Sequence, residues 1–331
     1  MGVFRNLLKV CGIAKDDEPR ISLSLNPVNV FRALEANIIF KDKGFVESLN
    51  IKFDEFLRSV PQASGLGGWE EYRQKTKEDV NKDAHCRTMN EHELYKCFMH
   101  VENDAYIGTV LNYKIKLNGG KEGEEADLIS YNPNEKIIYV IELKRMKARE
   151  NPLRALLETL TCWLEMLDAD LREKQLKRGE CLKGNATAFI KKCPDFTQKD
   201  SPFYIANPND VCLKPAILLY GDSDDKKDSK TYKDLCASPE EPYRELYEKI
   251  FRYVKCFSYA GKTPESLKIK SFRPQDEWGK GEAKTTKPTP KLKSKGRKKK
   301  TAKNKRRGTV KCASSGANDC IRPKMRGNSK S

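Results

Sequence analysis

Residues 124–145 read EEADLISYNPNEKIIYVIELKR, and they decide the fold of the chain. Two short apolar runs flank Asn132-Pro133-Asn134, a turn signal. The first run, residues 126–131, carries Asp127. The second, residues 136–144, ends in Glu142-Leu143-Lys144. Strand alternation puts Ile138, Val140, Glu142 and Lys144 on one face and Ile137, Tyr139, Ile141 and Leu143 on the other. Both faces begin apolar, so the run is expected to be a central, buried strand. Glu142 and Lys144 then lie side by side at its end. An isolated carboxylate there costs several kcal/mol unless a cation or donor compensates it. The meander brings Asp127 beside Glu142. Two hard oxygen ligands suit Mg²⁺ or Mn²⁺, and a metal so placed lowers the pKa of a bound water. The other reading of this pair is an exposed strand-end ion bridge of little consequence.

Working outward, residues 107–117 have strand composition, and Asn118-Gly119-Gly120 turns them into the Asp127 strand. Such short connections favour an antiparallel meander. Before it, the spacing over residues 89–101 predicts a helix capped by Asn90, with Leu94, Phe98 and Val101 as its apolar stripe. Glu91 falls on the core-facing side of that helix and Glu93 farther round. After the meander, Asn151-Pro152 starts a helix bearing Leu153, Leu156, Leu157, Leu160, Leu164, Leu167 and Leu171 on one face. Trp163 belongs to its core side. Residues 215–220, PAILLY, predict a buried strand. Residues 241–257 predict a helix with Tyr243, Leu246, Ile250, Phe251 and Val254 inward, and residues 267–272 an edge strand. Residues 177–211 read as an irregular insertion, and 222–230 as a charged loop. Upstream, Phe45, Leu49, Phe53 and Leu57 recur every four residues within 26–60, until Pro61 and ASGLGG, residues 63–68, break the pattern. The expected fold class is α/β: a mixed sheet with helices on its faces.

The order of a Glu-bearing helix, a strand with Asp, a strand ending in Glu-x-Lys and an amphipathic helix resembles the PD-(D/E)XK nuclease superfamily, with its restriction-endonuclease-like α-β-β-β-α-β core. Asp127 matches the motif aspartate, and Glu142 and Lys144 match (D/E)-x-K. Glu91, or failing that Glu93, matches the helix-borne glutamate, and EEADLISY resembles the second strand of the family. Ala126 stands where the motif has proline. The resemblance covers residues 89–257. It implies a metal-dependent nuclease acting on DNA. Asp127, Glu142 and Glu91 would hold Mg²⁺ or Mn²⁺, and Lys144 would position or activate the attacking water. A homodimer would be needed to cut both strands from one site per chain. The alternative is a non-catalytic nucleic-acid-binding protein on an inactive nuclease-like fold. The expected organisation is an N-terminal leader and helical segment over 1–86, a nuclease-like domain over 87–278 and a basic tail over 279–331.

The tail holds the net charge. Residues 280–331 carry nineteen Lys and Arg against Glu282 and Asp319, a difference equal to the whole +17 of the chain. Lysine, threonine, proline and serine dominate there, and such a segment cannot offset its ordering entropy, so disorder is expected. Its string KLKSKGRKKKTAKNKRR would bind polyanions without sequence preference, serve only to solubilise, or act as a nuclear import signal in a nucleated cell. No run of about 18 apolar residues exists, so no membrane span is expected. The N-terminus is a poor signal peptide, and Asn6 argues against myristoylation at Gly2. A soluble intracellular protein is expected. The 11 cysteines include no CxxC and read as free thiols. His85, Cys86, His92, Cys97 and His100 match no zinc-module spacing. Arg145 and Lys147 read either as phosphate contacts or as a solvated turn, and Arg154 with Glu158 as a helical ion pair or as site-facing groups.

Overall fold

The computed structural model describes residues 39–63, 65–67, 69, 88–117, 125–147, 150–221, 229–261 and 263–278. The leader, most of the charged stretch before residue 87 and the basic tail lie outside them. So do His85 and Cys86 of the histidine–cysteine group.

The structure is α/β, built on one mixed sheet. Its strands are β1 (Leu66–Gly67), β2 (Thr109–Leu117), β3 (Glu125–Asn132), β4 (Ile137–Lys144), β5 (Cys212–Tyr220), β6 (Lys255–Ala260) and β7 (Lys268–Phe272). They lie in sequence order across the sheet. From β1 to β4 every neighbour is antiparallel, which is the expected meander. β4, β5 and β6 then run parallel, and β7 returns antiparallel at the edge. The Asn132 side chain makes the β3–β4 turn. Its Oδ1 accepts from the amides of Asn134 and Glu135 at 3.1 and 3.2 Å.

The alternation read from β4 holds. Ile138 and Val140 pack in one apolar layer, and Ile137, Tyr139, Ile141 and Leu143 in the other. The second layer is covered by α3 (Glu91–Phe98), which is shorter than the expected 89–101. The first is covered by α4 (Pro152–Met166), opened by Asn151 Oδ1 accepting from Leu153 N at 2.9 Å with Pro152 in the first turn. Trp163 of α4 donates to Leu213 O at 2.9 Å, and Thr159 bridges Val140 O and Ala216 O at 3.2 and 2.9 Å. The helix is thereby bonded as well as packed onto β4 and β5.

Several expectations are corrected. The amphipathic helix stops at Met166, and Leu171 belongs to a separate helix, α5 (Ala169–Arg178). Residues 177–211 are mostly turns and coil, as expected, but not throughout. They contain α6 (Thr187–Lys192) and α7 (Pro194–Thr197), whose Phe189, Ile190 and Phe196 are buried around Trp69. The charged loop expected over 222–230 lies outside the described residues except at its last two positions, where Ser229 caps helix α8 (Lys230–Cys236). The last expected helix covers only α9 (Tyr243–Ile250), because Lys255–Ala260 is strand β6. Upstream, one helical pattern resolves into α1 (Lys43–Ile51) and α2 (Phe53–Ser59), broken at Lys52. Both pack into the layer that contains α4 and α9, and Asn50 and Lys249 hold α1 to α9. The described part of the N-terminal segment therefore shares the core of the sheet.

Candidate active site

The candidate site lies where β3 begins and β4 ends. The register pairs Leu128 with Ile141, so the antiparallel geometry sets Asp127 next to Glu142. Local irregularity helps. Ala126 and Leu128, two residues apart, pack in opposite layers, so alternation breaks at Asp127. The facing residue on β2, Lys114, has φ +52°, and the ladder steps from Tyr113–Leu128 to Ile115–Ala126 around it. Released from regular pleating, Asp127 reaches across the sheet edge. Its Oδ2 accepts from Leu143 N at 2.8 Å, the amide between Glu142 and Lys144.

Two networks meet at that point. On the α3 side, the Tyr95 hydroxyl stands 2.6 Å from Asp127 Oδ1 and 2.7 Å from Glu91 Oε1. On the α4 side, Lys144 Nζ contacts Glu142 Oε1 at 2.6 Å, Glu150 Oε2 at 2.5 Å and Glu158 Oε2 at 3.1 Å. Arg154 Nε bridges Glu150 and Glu158 at 2.8 and 2.9 Å. Glu142, Glu150 and Glu158 thus share Lys144 and Arg154, with Asp127 and Glu91 joined to one another through Tyr95, a surplus of acid in a largely desolvated place: Asp127 is 9% exposed and Glu142 7%. Lys114, 5.0 Å above the Tyr95 ring, is engaged with Glu125 at 2.9 Å.

The titration behaviour follows. Burial pushes Asp127 up to about 6, against Lys144, Tyr95 and the Leu143 amide, which favour its ionised form. Burial and then the Asp127 charge hold Glu142 well above the ordinary carboxylate range. Burial would lower Lys144, but Glu142, Glu158 and Glu150 more than offset it and keep the amine protonated. Glu158 goes the other way. Lys144 and Arg154 overcome its burial and hold it below the usual carboxylate value. Burial and the two carboxylates push the Tyr95 phenol far up, so it remains a donor.

The structure therefore brings Asp127, Glu142 and Lys144 together and connects Glu91 to them through Tyr95. Glu93 is occupied elsewhere: it closes a capping box, receiving the Asn90 amide at 3.0 Å. Of the two glutamates, Glu91 is the one bonded to this network. Arg154 and Glu158 form an ion pair and also face the site. Arg145 and Lys147 are exposed beside it. Tyr95 and Glu150 escaped the sequence reading. Tyr95 had a signal, the four-residue step from Glu91 that stacks two side chains on one helix face. Glu150, just before a helix cap, had none.

Two desolvated carboxylates with raised affinity for protons fit a hard cation, which would replace those protons. Among the described residues, however, no three His, Cys, Asp or Glu side chains are gathered in a group that could hold a metal ion. Glu142 is turned to Lys144 and Glu91 to Tyr95. No described helix is long and apolar enough to cross a membrane. Comparison with protein-family models, with curated proteins and with solved structures found no match.

Proposed function

We propose that the chain is a metal-dependent nuclease of PD-(D/E)XK type, hydrolysing phosphodiester bonds of DNA. The observation that carries this reading is the bond from the Leu143 amide to Asp127. It joins two buried carboxylates and a protonated lysine at one sheet edge. The element order α3-β2-β3-β4-α4, followed by β5 alongside β4, supports a restriction-endonuclease-like core.

Asp127 and Glu142 would hold Mg²⁺ or Mn²⁺, with Glu91 as the third expected ligand. When bound, the metal would act as a Lewis acid on the phosphate and lower the pKa of a coordinated water. Lys144, kept protonated by its carboxylate neighbours, acts as a donor to the attacking water or to the charge growing on phosphorus, not as a base. Glu150 and Glu158 hold its ammonium in place. Arg145 and Lys147, exposed beside the site, suit phosphate contacts, and the basic tail supplies attraction over a longer range. Cleavage of both strands calls for a second copy.

The test is cleavage of single-stranded, duplex and branched DNA in Mg²⁺ or Mn²⁺ by wild type and by folded Lys144→Ala and Asp127→Ala. Cutting by wild type and a loss of at least 100-fold in both variants are expected. Intact substrates under both metals would sink the proposal. One observation favours a second reading, a nucleic-acid binder that does not cut: Lys144 is fully engaged by three carboxylates. On that reading Lys144→Ala binds DNA as wild type does and neither protein cuts.

A further inference from the structure

Three described residues other than glycine have a positive φ: Asn103 at +55°, Lys114 at +52° and Lys136 at +56°. Asn103 and Lys136 lie in the connections between α3 and β2 and between β3 and β4, where left-handed backbone is ordinary. Lys114 lies inside strand β2. A side chain in that conformation is strained, and glycine is the residue that bulged strands use there. The chain carries a lysine instead. Strain of this kind, held by the surrounding structure, gathers at functional sites.

The left-handed residue decides where the ammonium goes. Tyr113 packs in the layer under α3, and Ile115 in the layer under α4. Regular alternation from Tyr113 would send Lys114 to the α4 side. Instead its Nζ lies on the α3 side, 5.0 Å from the centre of the Tyr95 ring, whose hydroxyl bonds Glu91 and Asp127. In the register Lys114 falls between the Tyr113–Leu128 and Ile115–Ala126 pairs, opposite Asp127. Burial would lower its pKa, but Glu125, and then Glu91 and Asp127, more than offset this and keep it charged. The ion pair with Glu125 spans 2.9 Å, and both side chains are 30% exposed. Lys144, by contrast, is 13% exposed and gripped by three carboxylates. Of the two lysines, Lys114 is therefore the one that can change partner without stranding a buried charge. Glu125 is level with Lys116, an exposed lysine that can take up its charge.

We propose that Lys114 is a substrate-binding residue of this site, leaving Glu125 to take a phosphate of the DNA strand, a role that rests on the proposed entry of DNA into the site. DNA reaching Asp127 and Glu142 then meets an ammonium from each side of the sheet edge, Lys114 on the α3 side and Lys144 on the α4 side. Until DNA arrives, Glu125 cancels the Lys114 charge, so the lysine adds nothing to attraction at a distance. Its contact is felt alike by bound substrate and transition state, so it acts on KM.

The test has two arms, both on the full-length chain. In the first, lysines are acetylated with an N-hydroxysuccinimide ester in Ca²⁺, with and without short duplex or single-stranded DNA, and mapped by mass spectrometry. DNA should slow acetylation of Lys114 several-fold, and by more than that of Lys177, an exposed lysine of α5. In the second, variants are compared in cleavage and in thermal melts. Lys114→Ala and Lys114→Gly should raise KM about tenfold with kcat little changed, and Lys114→Arg should restore most of the loss. Lys114→Gly relieves the backbone strain and should melt about 2–4 °C above Lys114→Ala, yet match it in KM. Were the lysine merely structural, relieving the strain would return KM to the wild-type value, and that result would overturn the inference. So would protection of Lys114 no greater than that of Lys177. Either result, with wild type cutting, leaves the nuclease reading standing. If wild type does not cut, the nuclease reading falls and the protection arm alone decides on Lys114.

Discussion

A phenol has one hydrogen to give, and Tyr95 stands between two carboxylates at 2.6 and 2.7 Å. When Asp127 and Glu91 are both ionised, one of them faces an oxygen without a hydrogen. Burial is the main reason the Asp127 carboxyl is pushed up to about 6, and the Glu91 charge adds to it, while Lys144, the Tyr95 hydroxyl and the Leu143 amide oppose it. The sign follows from linkage. Asp127 binds its proton more tightly folded than unfolded, so the metal-free fold loses stability as pH rises from the ordinary value near 4 toward 6. A bound cation reverses this. Mn²⁺ should raise the melting temperature little at pH 5 and clearly at pH 7.5, where a concentration 100 times its Kd is worth about 2.7 kcal/mol. Asp127→Asn should abolish the pH dependence of that shift. An equal shift at both pH values in thermal melts would remove Asp127 from the metal site. Tyr95→Phe leaves the carboxylates without their shared donor, a loss of about 1–3 kcal/mol in denaturant unfolding. At this scale the sequence revealed what alternation and spacing encode. Glu142 and Lys144 sit on a strand whose alternation is regular, and the short turn brings the Asp127 strand beside it although alternation breaks at Asp127 itself. The Lys144 cluster was half visible, because Arg154 and Glu158 share a helix face, whereas Glu150 meets them only through the fold.

At the scale of elements, α4 is the one whose sequence and structure agree most closely, and it carries half of the Lys144 cluster. Its docking onto β5 depends on Trp163, which is fully buried and donates to Leu213 O. Asn185 Nδ2 also donates to that carbonyl, so Trp163→Phe leaves the acceptor satisfied and should cost about 1–2 kcal/mol. Trp163→Ala opens a cavity between α4 and Tyr253 and should cost about 3–5 kcal/mol. Equal costs in urea unfolding would mean that the indole is not packed as described. The elements that the sequence concealed share a physical reason. Helices α6 and α7 are six and four residues long, too short for a period to emerge from their Gly-, Asn- and Lys-rich surroundings. Their apolar residues acquire meaning only around Trp69, more than 100 positions away. Strand β6 begins within the expected helix because Val254, Phe257 and their neighbours continue an apolar run in the sequence. Pairing with β5 and β7 decides it as a strand, and no local propensity encodes that.

At the scale of the whole molecule, charge and site are separated along the chain. The excess of +17 belongs to residues 280–331, while the first 279 residues balance. The candidate site itself carries more acid than base. A polyanion approaching Asp127 and Glu142 therefore meets repulsion, except at the flanking Arg145 and Lys147. Attraction must come from elsewhere, and the tail is the segment with the charge to supply it. Deleting residues 280–331 should weaken DNA binding at about 50 mM salt by orders of magnitude and flatten the fall in affinity between about 50 and 200 mM. Arg145→Ala with Lys147→Ala should instead reduce affinity modestly and leave most of the salt slope. If cutting is the activity, the tail deletion should raise KM far more than it lowers kcat, because it removes binding felt equally by substrate and transition state. Lys144→Ala should do the reverse. Fluorescence titrations at the two salt concentrations, with steady-state cleavage on the same proteins, separate the two contributions. A salt slope unchanged by the deletion would place the phosphate contacts on the folded part, against its balanced charge.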